Sequence, residues 1–576
     1  MADTKQDVLD MLRELSELTL LDEADPQSFR VRAYENATQA IAAQATDLGR
    51  LSLDDLKKIH GIGASTAQKI RELFETGRVE KLDALRGKYP AGLVALLRLQ
   101  GVGPKAVRRL QAELGVQSLD DLRRAIAEQR LRSLKGFGAK SEDKLRDAIA
   151  RLEREGALTR TPISVALPIA RRIAGELAQV PGVTHASPCG SLRRFSETVG
   201  DIDIVVVAAD PAPVMDAVVK LSMVDRVLAR GETKTSVVTR RGIQVDVRVV
   251  KAEQLGAALL YFTGSKSHNV KLRQRAQARG YTLNEYALSA LEGGAIIAGE
   301  TEEEIYRALG LPLIPPVLRE DWGEIEAAES GQLPAPVGPL RGDFHVHTDL
   351  SGDGRSTLAD IVDAARQRGY SVLALTEHAE GTLSGVGRDA LIDQRARITA
   401  LQQQVGDSIQ LLHGVELNIG PAGELDYDPE FRRTFDFCLA SLHSHFELDR
   451  AAQTRRVITA MQDPSVRMIG HLTARIIGRR PPVELDLAAV LDAARDTGTA
   501  LELNGALPRL DPPIDVLRSP HARDVTFVLT SDAHHVKELA LIDYAATHAH
   551  RAHLPPERIA NNWDAARLKA WAVNAP

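Results

Sequence analysis

Along the first 155 residues, apolar side chains return every three or four positions, as in Val8-Leu9-Met11-Leu12-Leu15 and Leu119-Leu122-Ile126. That spacing predicts helices throughout. After Thr161-Pro162 the pattern changes. A helix is predicted over about 165–178. Strand-length apolar runs follow at Ile202, Ile204-Val205-Val206-Val207 and Ile243-Gln244-Val245-Asp246-Val247, inside a mixed α/β stretch reaching about 315. Pro315-Pro316, Pro334-Ala335-Pro336 and Pro339 predict a stiff, partly extended linker over 316–341. Beyond it, seven apolar runs alternate with helices, at 344, 372–375, 409–415, 437–442, 466–469, 500–503 and 525–529. Each runs into polar residues: His345 and His347, His378, Glu416, His443, His471, Asn504, and Asp532 with His534. Parallel strands that carry their polar groups at the C-terminal ends predict a distorted (β/α) barrel with its chemistry on one face.

Composition narrows this picture. A chain of 576 residues exceeds one core, so three or four domains are expected. No apolar run is long enough to cross a membrane, the N-terminus lacks an apolar leader, and two cysteines cannot build a disulfide framework. A cytoplasmic location is expected, with Cys189 as a small packed residue. Residues 1–160 hold 28 basic and 25 acidic side chains, so the front is slightly positive within a net charge of −6. That asymmetry is compatible with a DNA-facing front half. Of 16 histidines, 13 follow residue 340, which confines a histidine-rich metal site to the barrel. His521, His535, His548, His550 and His553 lie off the strand ends and are read as surface residues.

Asp201 and Asp203 stand two apart at the apolar run, so strand alternation sends both to one face. Two carboxylates so placed repel and lose hydration unless a divalent cation sits between them. Gly190-Ser191 upstream is a small turn able to approach a phosphate, and Asp246 supplies a third carboxylate. This set suits nucleotidyl transfer with two metals roughly 4 Å apart. In the helical front, His60-Gly61-Ile62-Gly63, Gln100-Gly101-Val102-Gly103 and Lys135-Gly136-Phe137-Gly138 repeat a G-x-G hairpin beside Lys69, Arg71, Lys105, Arg108, Arg109 and Lys140. Backbone N–H groups at such turns bind phosphate without reading sequence. Tyr261-Phe262-Thr263-Gly264-Ser265 reads as a strand or turn ending in aromatics, before a helix presenting Asn269, Lys271 and Arg273. The barrel's histidines and carboxylates, drawn from separate strands, suit several transition-metal ions.

Through G-S-x-R-R (190–194), G-D-I-D (200–203), the Asp246 strand and Y-F-T-G-S (261–265), residues 1–320 closely resemble the family-X DNA polymerases. The resemblance implies a helical lyase-like domain (1–85), helical fingers (86–155), a nucleotidyltransferase palm (156–250) and a thumb (251–315). It implies metals on Asp201, Asp203 and Asp246, with the triphosphate on Gly190, Ser191, Arg194 and Gly200. Tyr261, Phe262 and Gly264 would face the nucleotide, and Asn269 the incoming base edge. Lys271 and Arg273 would lie along the template. Gly61, Gly63, Gly101, Gly103 and Lys105 would touch the DNA backbone. Lys69 falls where some members carry a Schiff-base lyase nucleophile, although Ser65 replaces a companion basic residue there. Gln244 stands where eukaryotic relatives tend to carry arginine.

From 342 to 576, H-V-H-T, T-E-H, G-V-E, S-L-H, G-H and S-D-A-H resemble the PHP (polymerase and histidinol phosphatase) domain. That resemblance implies a trinuclear site on His345, His347, Asp353, His378, Glu416, His443, His471, Asp532 and His534. Glu377 and Leu472 depart from the commoner residues and are not expected to bind metal. The combined expectation is a gap-filling repair polymerase with a Mn²⁺-dependent 3′–5′ exonuclease that processes 3′ ends. It would use Mg²⁺ or Mn²⁺ in the palm, and Mn²⁺, Zn²⁺ or iron in the PHP site. Its partners would be dNTPs and gapped or primer-template DNA, with no membrane, and it would act as a monomer. The rival readings are a chain that is chiefly a 3′-end-processing nuclease, or a DNA-end-binding scaffold.

Overall fold

The computed structural model describes residues 5–25, 28–42, 48–59, 61–98, 102–134, 138, 142, 145, 146, 149 and 160–573. Gly101, Lys135-Gly136-Phe137 and Lys140 lie outside them. The chain divides into two compact units, Met1–Leu158 and Thr159–Pro576.

The first unit is helical, as its periodicity predicts. Helices Lys5–Glu23, Phe29–Ala42, Ala64–Thr76, Glu80–Lys88, Pro104–Leu114 and Leu119–Ala127 bury Leu12, Leu15, Ile41, Ile70, Leu110 and Leu122 in a shared core. The first hairpin leaves Leu53–Lys58 and turns at Gly61, whose φ is +94°. A Cβ there would come 3.3 Å from Ala40 Cβ and 3.4 Å from the Asn36 carbonyl, so the residue must be glycine. Gly63 and Gly103 then act as N-caps with no side-chain hydrogen bond and open space around them. The first-turn N–H groups at both helices are therefore uncapped by side chains.

The second unit opens with a five-stranded sheet in the order Val183–Pro188, Ile202–Ala208, Gln244–Val250, Lys234–Thr239, Val224–Arg230. Strand Ile202–Ala208 is buried on both faces, which explains its continuous apolar run. Ile202, Ile204 and Val206 join helices Ile163–Leu177 and Ala212–Lys220, while Val205 and Val207 meet Cys189 and Ala258. Asp203 shares the Val205 face by alternation. Tyr261-Phe262-Thr263 closes the helix Leu255–Thr263, not the strand or turn expected of the aromatic stretch. A second helix, Lys266–Ala278, follows at once from the Ser265 N-cap. A three-stranded sheet and helix Glu302–Ala308 complete this part.

The proline-marked stretch is packed structure and not a spacer along its first half. It contains helix Glu324–Glu329, and Leu318, Ile325 and Ala328 complete the apolar cluster of Leu260, Leu272 and Ile305. Prolines punctuate turns here because the segment folds back onto the helices before it. Next, seven parallel strands from Gly342–Asp343 to Phe527–Thr530 pair in strict chain order. An isolated parallel bridge, Val346 to Ala533, nearly closes the ring. Among the described residues no helix is long and apolar enough to cross a membrane.

Candidate active sites

In the palm, Asp203 and Asp246 are register partners on adjacent parallel strands. Asp201 lies in the bend just before the strand, where it is exposed, so only Asp203 is a true strand residue of the pair. The three carboxylates still act on one another. Burial first, then Asp201 and Asp246, push Asp203 up to about 7, and burial with Asp246 also raises Asp201. Asp246 goes the other way. Burial opposes its ionisation, but hydrogen bonds from Lys234, Ser236 and Gln244 hold it below the usual carboxylate range. Lys234 Nζ lies 2.6 Å from Asp246 Oδ2, and Gln244 Nε2 donates to Oδ1 at 3.0 Å. Lys234 escaped the sequence reading because it reaches the site from a neighbouring antiparallel strand.

Gly190 has a reason beyond phosphate approach. Its φ is +63°, and a Cβ would stand 2.6 Å from Asp203 Oδ2. The turn Gly190–Arg193 therefore sits directly against the carboxylate, with the half-buried Ser191 on it. Gly200, beside Asp201, is open. Both arginines of G-S-x-R-R turn toward the following helices. Arg193 grips Glu302 at 3.0 and 2.7 Å, and Arg194 donates to Glu320 at 3.0 Å and to the Thr263 carbonyl at 2.6 Å. Gly264 packs against Arg194 Nη1. Tyr261 is exposed and meets Phe262 edge-on, while Phe262 lies under Arg248 at 4.7 Å. Asn269 Nδ2 donates to the Tyr261 carbonyl and Arg273 Nε to the Asn269 carbonyl. Lys271 is held by Asp321 at 2.6 Å and Glu326 at 3.0 Å.

In the helical unit, Lys69 is half-buried. Its Nζ donates to Ser65 Oγ at 2.7 Å and sits 5.9 Å from the Tyr34 ring. Burial lowers its pKa, and Lys81 and Arg30 add to the effect while Glu72 opposes it. Lys105 is exposed.

The barrel gathers all nine of its candidate residues at the strand C-terminal ends. Three sets place ligand atoms within 4.8 Å of one another: His345, His347 and Asp532; His347, His378 and His534; and His378, Glu416 and His443. His471 Nε2 lies 3.1 Å from Glu416 Oε1, and Asp353 Oδ2 lies 3.4 Å from His378 and 3.5 Å from His534. Around them, Glu502 Oε1 lies 2.6 Å from His345 Nδ1, Asn418 Oδ1 lies 2.6 Å from His443 Nδ1, and Asn504 Nδ2 donates to Asp532 at 3.0 Å. These partners fix ring orientation and tautomer. Glu502 was missed because it lies inside a strand, one alternation step before Asn504. Glu377 is wholly engaged by Thr348, Ser351 and Gln394, and Leu472 is fully buried, so neither is a ligand.

The fit to cations rests on the ligand atoms themselves. His345 Nε2 and His347 Nε2 are buried without a hydrogen-bond partner among the described residues, while His378 Nδ1 has only Glu416 Oε2, at 2.7 Å, beside it. Such groups are costly unless something binds them. Burial and the neighbouring His378 drive His347 down to about 3, so its ring is neutral and ready to donate a lone pair. The centre opens into a cavity of about 570 Å³ lined by seven of the nine, with Asn418, Ser384 and Arg509. The surface reading fails for His548. It is fully buried, 3.2 Å from the Pro512 carbonyl, because helix Ile542–Arg551 turns that face inward with Ala545 and Ala549. His553 and His550 are also partly covered.

Fold and sites together define a two-centre enzyme: a nucleotidyltransferase sheet with carboxylates on two adjacent strands and a third just before one of them, joined to a metal-type phosphoesterase barrel. Family comparisons match a helix-hairpin-helix domain (3–79), a SAM-like helix-hairpin-helix tandem (93–151), the DNA polymerase beta thumb (258–320) and the PHP domain (343–506). The DNA polymerase/3′-5′ exonuclease PolX of Bacillus subtilis (strain 168) is 35% identical over 561 residues, 97% of each chain. DNA polymerase lambda of Rattus norvegicus is 27% identical over 51% of this chain and 53% of its own. A probable phosphatase of Vibrio vulnificus is 27% identical over 36% of this chain and 83% of its own. The chain belongs to the family-X DNA polymerases that carry a C-terminal PHP domain.

Proposed function

We propose that two metal centres on one chain divide the work of a repair polymerase. The protein is a DNA polymerase with a PHP-associated 3′–5′ exonuclease. Within it, Asp201, Asp203 and Asp246 are the polymerase ligands, and the observation that carries this is the register pairing of Asp203 with Asp246 beside Gly190. Two Mg²⁺ or Mn²⁺ ions held there would supply Lewis-acid stabilisation of the charge that develops in nucleotidyl transfer. The protein's own part is orientation. The Gly190-Ser191 turn and Gly200 seat the triphosphate, and Tyr261, Phe262 and Gly264 wall the sugar. Asn269 meets the base edge. Arg194 and Lys271 exchange their present carboxylate partners for phosphate, with Arg273 alongside the template. Gly61, Gly63, Gly101, Gly103 and Lys105 hold the DNA backbone at the hairpins, Lys105 by charge, and the helix N-termini behind Gly63 and Gly103 offer N–H groups uncapped by side chains. In the barrel, His345, His347, Asp353, His378, Glu416, His443, His471, Asp532 and His534 would hold up to three ions, Mn²⁺, Zn²⁺ or iron, whose chemistry would be to lower the pKa of water for attack on a 3′-terminal phosphoester. The substrate is gapped or primer-template DNA with dNTPs, and the chain acts as a monomer in the cytoplasm.

The test is a separation of functions on a one-nucleotide gap bearing a 5′-phosphate. Asp201→Ala with Asp203→Ala is expected to abolish incorporation and spare 3′-end removal, and His345→Ala with His347→Ala to do the reverse. Incorporation that persists in the first variant overturns the palm assignment. A second activity is favoured by one observation, the half-buried Lys69 amine beside the Tyr34 ring and Ser65 Oγ, where burial lowers its pKa. A less protonated amine can attack a sugar aldehyde to give a Schiff base. Borohydride trapping on an abasic-site substrate is expected to label the wild type and not Lys69→Ala.

A further inference from the structure

The barrel cavity has a cation among its ligands that neither the metal set nor the hydrogen bonds account for. Arg509 is the sole lysine or arginine among the described residues lining it, beside Asp353, His378, Glu416, His443, His471, Asp532 and His534. Its side chain is only 20% exposed, and its Nε lies 3.5 Å from Asp532 Oδ2. Its Nη1 is buried with no hydrogen-bond partner among the described residues. A desolvated guanidinium with an unused N–H next to a site built for cations is doubly unfavourable by itself. An anion in the cavity relieves both costs. A tetrahedral phosphate fits best, since the planar fork matches two of its non-bridging oxygens.

The backbone under Arg509 is braced for such a task. Asn504 Oδ1 accepts from the Ala506 N–H, and the Arg509 N–H donates to the Ala506 carbonyl at 2.8 Å. Arg475 Nε donates to the Arg509 carbonyl at 2.9 Å, and its Nη2 to the Leu510 carbonyl. Arg475 is in turn locked bidentately by Glu197 of the palm, at 2.8 and 2.9 Å. Little reorganisation is needed when a phosphate arrives.

We propose that Arg509 is a substrate-touching catalytic residue of the nuclease centre. Its free N–H groups bind the non-bridging oxygens of the scissile 3′-terminal phosphodiester. This rests on the barrel being the hydrolytic site. In that reaction the oxygen of water bonds to phosphorus, and the bond from phosphorus to the preceding 3′ oxygen breaks. The leaving oxygen takes up a proton, giving a nucleoside monophosphate and a new 3′-hydroxyl. Negative charge grows on the oxygens that Arg509 faces, so its contribution is larger in the transition state than in the bound substrate.

The experiment uses the full chain and the variants Arg509→Lys, Arg509→Gln and Arg509→Ala. Turnover on a 3′-tailed oligonucleotide is expected to fall about 100- to 1,000-fold in Arg509→Gln, by analogy with loss of one charge-stabilising donor. Arg509→Lys should recover only part, since it returns charge without the fork. Millimolar guanidinium is expected to restore part of the turnover of Arg509→Ala. Affinity for dTMP by calorimetry should fall in Arg509→Gln, while bound metal per chain, melting temperature and dNTP incorporation stay at wild-type values. Wild-type turnover and dTMP affinity in Arg509→Gln overturn the proposal. Loss of bound metal together with turnover, without guanidinium rescue, also overturns it, by making Arg509 a scaffold for Asp532. Nuclease activity that survives His345→Ala with His347→Ala in a chain with Arg509 intact instead overturns the underlying reading of the barrel, an outcome distinct from either.

Discussion

Asp203 and Asp246 face each other across one ladder step, yet their surroundings push them in opposite directions. Asp203 is buried against two carboxylates and rises to about 7, whereas Asp246 is held down by Lys234, Ser236 and Gln244. A carboxyl whose folded pKa is raised favours folding below its unfolded value, and that gain is lost as pH rises through about 7. The cation-binding form is the one that lacks the proton. Mg²⁺ affinity at the palm is therefore expected to weaken as pH falls through about 7, with proton release on binding near neutrality. Titration calorimetry in two buffers of different ionisation enthalpy measures that release, and equal heats in both would contradict it. Each of these carboxylates was legible as a polar residue inside an apolar strand-length run, but their pairing is set by the register of two strands, and the alternation argument did not hold for Asp201, which precedes its strand. Lys234 was not legible, since its approach to Asp246 depends on antiparallel register across the 240–243 turn.

At the scale of elements, the barrel was legible almost strand for strand, because each buried parallel strand is a short apolar run ending in a ligand type. The helix Leu255–Thr263 was not. Its Leu259, Leu260, Tyr261 and Phe262 form a run with no helical stripe, since the helix is covered on several sides. Close packing at its start is the reason for Gly256. A Cβ there would lie 2.2 Å from the Thr301 carbonyl carbon, while the Gly256 N–H donates to the Glu300 carbonyl at 3.0 Å. Gly256→Ala must force this helix away from the N-cap of Glu302–Ala308. The expected cost is about 1–3 kcal/mol, from overpacking against rigid backbone. Since Tyr261 and Phe262 ride on the same helix, incorporation should fall further than 3′-end removal when both are measured on one gapped substrate. Equal loss of the two activities would mean that the helix does not position the nucleotide.

At the scale of the whole second unit, the linker expected from the prolines gives way to a packed seam between palm and barrel. Periodicity could not reveal this, because its members are single side chains far apart in sequence. Leu507 and Leu510 of the barrel join the palm's apolar cluster, and Phe195 stacks on Tyr544 at 5.7 Å. Arg551 donates to the Arg194 carbonyl and pairs with Glu320 at 2.8 Å. The central contact is Glu197 with Arg475. Burial opposes ionisation of Glu197, but Arg475, His548 and Arg551 hold its pKa down to about 2. A folded pKa below the unfolded 4.5 means stability that is fully present above pH 4.5 and is lost as pH falls toward about 2. Thermal unfolding of the full chain should therefore lose stability over that interval, and Glu197→Gln should flatten this part of the pH dependence. At neutral pH, Arg475→Ala leaves Glu197 facing the seam without its main partner, with an expected cost of about 3–5 kcal/mol. Replacing both residues should cost less than the sum of the single changes, because the orphaned charge is then gone. Scanning calorimetry of the four proteins of this cycle measures the coupling directly. Strict additivity would show that the Glu197–Arg475 pair contributes no coupling across the seam.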